Sequence, residues 1–152
     1  MLKFLERFRD SAKSKAIKDC FFVVLDTELT GLDVKRDELL SLGAIKMRGS
    51  QILLGEIFYR EVYVSRFSKE TVAIHKILPS EIEDSPEISK ILPEFLEFIK
   101  DSVLVGYHTK IDLTFIKKYF RKFNLMFPRV TSVDVYRVYQ WLKKKSNDRC
   151  FL

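Results

Sequence analysis

Five consecutive apolar residues, Phe21-Phe22-Val23-Val24-Leu25, run straight into two carboxylates one residue apart, Asp26 and Glu28, and then into Leu29-Thr30-Gly31-Leu32. A short apolar run closed by a turn reads as a buried strand. Side chains alternate along a strand, so Asp26 and Glu28 share one face and Thr27 takes the other. Two strand steps separate the pair by roughly 6.5–7 Å, close enough for one divalent cation to touch both. Like charges at the end of a buried strand are costly, because each ion loses hydration and each repels the other. A metal ion removes that cost. The alternative is a strand whose solvent end merely carries two acids, and the pair alone does not separate the two.

A chain of 152 residues with 47% hydrophobic side chains is long enough for one domain with a real core. No apolar run approaches the ~18 residues of a membrane helix. Glu6, Arg7, Arg9 and Asp10 interrupt any secretory signal core at the N-terminus. Two cysteines, Cys20 and Cys150, give no disulfide framework, and 13 Phe supply packing instead. A reduced, cytoplasmic protein is the expectation, with no membrane partner. The net charge of +6 favours a polyanionic partner without requiring one.

Leu2, Leu5, Phe8, Ala12 and Ala16 recur at helical spacing among Lys and Arg, which predicts a basic amphipathic helix over 1–19 ahead of a domain over 20–152. Packing on a sheet edge is the structural reading of that helix; a nucleic-acid or membrane-surface role is the alternative. Three strands follow, over Phe21–Asp26, Leu39–Arg48 and Ile52–Val64, the last two joined by a Gly49-Ser50 hairpin turn. An irregular link over 65–85 includes Ile74-His75-Lys76-Ile77 and a helix start at Pro79-Ser80-Glu81. Pro86 opens an amphipathic helix carrying Ile88, Ile91, Leu92, Phe95, Leu96 and Ile99, in which Pro93 predicts a kink or a split. Val103–Val105 reads as a buried parallel strand and Asp112–Asn124 as a helix. A short strand near Val130–Val133 and a helix over Val135–Lys145 complete the pattern. The order βββ-α-β-α-β-α predicts an α/β fold: a mixed five-stranded sheet with helices on both faces, antiparallel at one edge and parallel at the other.

Asp112 follows the strand Val103–Val105 and the turn Gly106-Tyr107-His108-Thr109-Lys110-Ile111. If the first and fourth strands are parallel neighbours, their carboxyl ends open on one edge, where open α/β sheets bind ligands. Asp26, Glu28 and Asp112 then share a crevice. A helix N-cap is the other reading of Asp112. Beside the Asp26/Glu28 pair, the metal reading is preferred.

Asp26-Thr27-Glu28-Leu29-Thr30-Gly31-Leu32 resembles the first motif, D-x-E-x-T-G-L, of the DnaQ-like 3′–5′ exonucleases, the DEDD superfamily with a ribonuclease-H-like fold. Asp37 and Ser41-Leu42-Gly43-Ala44-Ile45 resemble the family's second strand, and Ile74-His75-Lys76-Ile77 its V-H-G-I turn. Val105-Gly106-Tyr107-His108-Thr109-Lys110-Ile111-Asp112 is similar to the second motif, V-x-H-N-x-x-F-D, with His108 where the family commonly has Asn. Val133-Asp134 resembles the D-[TS]-x-x-L-A segment. The resemblance runs over about residues 20–145 with all five segments in order.

It implies two-metal phosphodiester hydrolysis at nucleic-acid 3′ ends, DNA being favoured, with Asp26, Glu28 and Asp112 holding two Mg²⁺ or Mn²⁺ ions. By the same resemblance Thr30, Gly31, Leu32, His75 and His108 are substrate-binding candidates. For His75 a partly exposed loop histidine is an equal reading, and for His108 a structural role is preferred. The family's third motif, H-x(4)-D or Y-x(3)-D, has no counterpart before Leu152. It supplies the general base and a fourth carboxylate, so the domain is expected to be incomplete at its C-terminus and weakly active. The alternative is a non-catalytic module that binds nucleic-acid ends or a DNA polymerase.

Overall fold

The structure, a computed structural model, describes residues 16–65, 72–73 and 75–148. The predicted N-terminal helix lies outside the described residues, apart from a single 3₁₀ turn at Ile17–Asp19. Strands β1 (Phe21–Leu29), β2 (Leu39–Arg48) and β3 (Gln51–Glu61) come first, followed by a short helix α1 (Pro79–Ile82) and then α2 (Ile88–Phe98). Strand β4 (Ser102–Gly106), helix α3 (Lys110–Lys122), strand β5 (Ser132–Asp134) and helix α4 (Val135–Asp148) complete the described chain.

The five strands form one mixed sheet in the order β3-β2-β1-β4-β5. Pairing is antiparallel among β1, β2 and β3, and parallel between β1 and β4 and between β4 and β5. The expected α/β architecture is therefore present, with β1 in the centre and β4 beside it. The β2–β3 turn falls at Gly49-Ser50, and Gly49 adopts a φ of 57°, which glycine tolerates without steric cost.

Alternation along β1 decides which face becomes the core. Val23 and Leu25 are buried, and with Leu42, Ala44 and Leu104 they meet Ile91, Leu92, Phe95 and Ile99 from α2 and its C-cap. From α3 come Ile116, Tyr119 and Phe120. Phe95 is fully buried and packs its ring 5.6 Å from that of Phe58. On the other face the register sets Val24 beside Ile45 and Ile57, and Asp26 beside Gly43 and Tyr59. Ile57 and Tyr59 remain more than half exposed there.

Three elements differ from their sequence expectation. Strand β1 continues past Asp26 to Leu29, because Thr27 and Glu28 stay in register with Leu42 and Ser41 before a bulge. Strand β3 stops at Glu61: the Val62 N–H still donates to Leu40 O, but the Tyr63 N–H turns away to Pro86 O. Helix α2 runs unbroken through Pro93, whose exposed side faces away from the buried stripe of Ile88, Ile91, Leu92 and Phe95. Burial of that stripe offsets the hydrogen bond the proline removes.

Truncating Phe95 to alanine leaves a cavity at the centre of this core. It should cost about 3–5 kcal/mol. Ile57→Ala, on the open face, should stay within about 0.5 kcal/mol of wild type. Urea unfolding of both variants checks the assignment of the two faces.

Candidate active site

The central strand carries its acids out of the core. Asp26 is exposed and Glu28 half-buried, on the face opposite Val23 and Leu25. Burial pushes the Glu28 carboxyl above its ordinary value, and the nearby Asp26 charge pushes it further. Tyr59 lies on the same face, two strands over, and donates its hydroxyl to Glu61 Oε1 at 3.2 Å. Burial, Glu61 and Glu28 together raise the phenol's pKa.

Asp112 lies in the first turn of α3 and is buried. It is not the cap of that helix: Thr109 occupies the N-cap position, and the Asp112 carboxylate instead accepts the Thr27 hydroxyl at 2.7 Å. Burial raises its pKa; the Thr27 hydroxyl opposes this, and the Asp26 charge adds to it. Asp26 is thus the charge common to Glu28 and Asp112. The Thr27 bond was not foreseen, although the alternation that turns Thr27 away from Asp26 is the signal that could have revealed it.

Among the described residues, no three His, Cys, Asp or Glu side chains stand close enough together to hold an ion as they are placed. None of the three acids pairs there with Lys or Arg. Uncompensated carboxylates around Asp26 nonetheless fit a hard divalent cation in donor chemistry.

The loop after β1 is built on Asp37. Its Oδ2 accepts the Asp33 N–H at 2.7 Å, and its Oδ1 takes the Thr30 hydroxyl at 3.4 Å. Thr30 Oγ1 in turn accepts the Glu38 N–H at 2.9 Å. A Cβ on Gly31 would sit 2.5 Å from Asp37 Oδ2, so any larger residue there would have to displace the carboxylate that holds the loop. This closure leaves Leu32 74% exposed. With Val34, Lys110, Ile111, Thr114 and Phe115 it lines a cavity of about 190 Å³ between the loop and the start of α3.

The two histidines part company. His75 is buried, its Nδ1 accepts the Ile77 N–H at 3.1 Å, and burial lowers its pKa. Of the two equal readings of this residue, the partly exposed loop histidine is not the one that forms. His108 is exposed at the carboxyl edge of β4, with a φ of 53° and its N–H donated to Asp134 Oδ1.

A mixed sheet with acids at the carboxyl edge of its central strand defines an α/β nuclease-like domain. The chain belongs to the RNase_T exonuclease family, whose model matches residues 23–151. Exonucleases of this family generally use divalent metal ions. The PolC-type DNA polymerase III of Thermotoga maritima is 34% identical over 115 residues, covering 75% of this chain and 8% of that protein. The DNA polymerase III subunit epsilon of Aquifex aeolicus is 34% identical over 121 residues, covering 76% of this chain and 59% of that subunit. The chain thus spans a small fraction of the first relative and less than two thirds of the second. Among solved structures, E. coli exonuclease I in complex with a dT13 oligonucleotide matches at a TM-score of 0.70 and 15% identity, over 80% of this chain and 29% of that one. Exonuclease X in complex with 5′-overhanging duplex DNA matches at 0.61 and 17%, over 80% and 63%. These likenesses establish the fold. Among the described residues no helix is long and apolar enough to cross a membrane.

The raised carboxyls fix a pH dependence for the metal-free chain. A carboxyl whose native pKa exceeds its unfolded value of about 4 holds its proton more tightly when folded. Stability is then greatest below the unfolded value, falls as pH rises toward the native value, and levels off above it. Asp26→Asn should flatten this fall and melt higher than wild type at neutral pH, as read from melting temperatures between about pH 3 and 8.

Proposed function

We propose that this chain carries the nuclease core of a two-metal 3′–5′ exonuclease acting on single-stranded nucleic-acid 3′ ends, DNA favoured, in proofreading or repair. The observation that carries the reading is the uncompensated carboxylate group around Asp26, set beside the cavity of the Thr30–Leu32 loop. Asp26 would hold both of two Mg²⁺ or Mn²⁺ ions, Glu28 one of them, and Asp112 the other directly or through water. Such ions, when bound, lower the pKa of a water and stabilise charge on the phosphodiester.

The chain's own residues do the positioning. Thr27 fixes the orientation of the Asp112 carboxylate. Leu32, Ile111 and Phe115 offer an apolar surface to the terminal nucleotide, with the Lys110 ammonium at its rim for a phosphate. At the far end of α3, Lys117, Arg121 and Arg129 border a larger cavity of about 480 Å³ and extend the positive surface. A DNA polymerase is the partner that the PolC-type and epsilon relatives favour.

Neither histidine is set up as the general base. His75 is buried with Nδ1 engaged, and the His108 ring lies 4.5 Å from that of Tyr136. General-base catalysis contributes roughly 10²–10⁴-fold, so the 152-residue chain should bind 3′ ends weakly and in a salt-sensitive way, and cleave them very slowly. This observation also favours a second reading, a module that binds ends without cutting them.

Degradation of a 3′-labelled single strand tests both. Mg²⁺- or Mn²⁺-dependent release of 3′ nucleotides is expected, lost in chelator and lowered at least about 10²-fold by Glu28→Gln and by Asp112→Asn. Appending a helix with the family's His and Asp should accelerate it by orders of magnitude. Salt-sensitive binding with no cleavage in either form would favour the binding module. Rapid cleavage unaffected by both substitutions would overturn the site.

A further inference from the structure

Three aromatic rings meet just beyond the acids, and neither the metal site nor the nucleotide cavity uses them. Tyr107 directly follows Gly106, the last residue of β4, and Tyr136 is the second residue of α4. One carboxylate ties these segments together: Asp134 Oδ1 accepts the His108 N–H at 3.2 Å and the Tyr136 N–H at 3.0 Å. The His108 and Tyr136 rings lie 4.5 Å apart and 35° from coplanar. Tyr107 stands nearly upright against both, at 77° to His108 and 78° to Tyr136, with centroids 4.6 and 5.7 Å away. Contacts of this edge-to-face kind are favourable in their own right and hold a ring in one orientation. Tyr107 is nevertheless 62% exposed, so ring surface remains open to solvent.

A large aromatic side chain, braced and yet exposed, is well suited to a flat partner. Its ordering cost is met in the folded chain and not on binding. Its location narrows the choice: Lys110 and Asp112 follow within five residues on the same turn and helix start. We propose that Tyr107, braced by His108 and Tyr136, is a stacking platform for an unpaired base of the strand whose 3′ end enters the carboxylate site. The inference rests on the 3′-exonuclease reading and deepens it, since a stacked base must be unpaired and its identity matters little. Duplex ends would have to fray before they engage.

Binding distinguishes the inference from the reading beneath it. The probe is a phosphorothioate-linked single strand carrying 2-aminopurine near its 3′ end, titrated at low salt into the full 152-residue chain. Wild type and Tyr107→Phe should bind and quench the fluorescence. Tyr107→Ala should lose the quenching and bind about tenfold more weakly. Moving an abasic residue along the strand needs no protein variant. At one position it should weaken wild-type binding by a similar factor, yet cost Tyr107→Ala little more. Equal binding and quenching by wild type and Tyr107→Ala, or fully additive losses, would overturn the platform while leaving the exonuclease reading intact. No binding of the strand by wild type would overturn both.

Discussion

Two-sided pairing of β1 is the constraint on which the other features depend. Its antiparallel partner β2 accompanies it from Phe21 to Leu29, whereas its parallel partner β4 stays in register only as far as Val24 and Val105. Beyond Val24 the β4 side of the central strand is open for the stretch that carries Asp26, Thr27 and Glu28. Into that gap come the turn after Gly106 and the first turn of α3. The passage is tight: a Cβ on Gly106 would lie 3.0 Å from Leu25 O and 3.1 Å from Thr109 Oγ1. Asp112 reaches the open edge from the core side and finds Thr27 there. Asp112 therefore meets the edge at Thr27, near enough to Asp26 for the two charges to interact.

The acids of this region differ in the balance between burial and hydrogen bonding. Asp33, Asp37 and Asp134 spend their carboxylates on backbone N–H groups and hold turns in place. Asp33 is drawn below its ordinary pKa by the Lys35 N–H and by Arg36, as befits an acid stabilised in its charged form. Glu28 and Asp112 move the other way, because burial outweighs what their neighbours supply. Asp33 is thus shifted by partners that favour its charge, and Glu28 and Asp112 by burial that opposes it.

Much of the sheet was legible because its signals are local. The Gly49-Ser50 turn, the apolar run of Phe21–Leu25 and the buried Val103–Val105 each fix a strand without reference to the rest of the chain. The parallel neighbourhood of β1 and β4 entered the sequence reading only as a condition, and the sheet order supplies it. What sequence could not supply depends on contacts between distant residues. Whether Asp112 caps its helix or crosses to Thr27 is decided by how far α3 starts before it, and α3 starts at Lys110. The burial of His75 depends on how its segment folds back, which no periodicity encodes. The split that Pro93 could have caused did not form for a related reason: propensity is a local cost, and here tertiary burial along the same helix exceeds it. The motif residues themselves were all visible, but their relative placement was not.

The same geometry sets a division of labour between binding and chemistry. In the absence of metal, the edge around Asp26 repels a phosphodiester. On the proposed exonuclease reading, affinity would then come from elsewhere, and the basic side chains along α3 are placed to supply it. Lys110 stands at the helix start, while Lys117, Lys118, Arg121 and Lys122 follow toward its end. The nine helical steps from Asp112 to Arg121 span about 14 Å, a distance a strand of a few nucleotides covers. Basic side chains in the last turn also favour the helix dipole, so the charges that would hold a strand stabilise the element presenting them. On the proposed reading, acids at the edge and cations along α3 would be complementary: the cations would attract a polyanion at long range with little regard to its sequence, and the acids would act only at the end that reaches them.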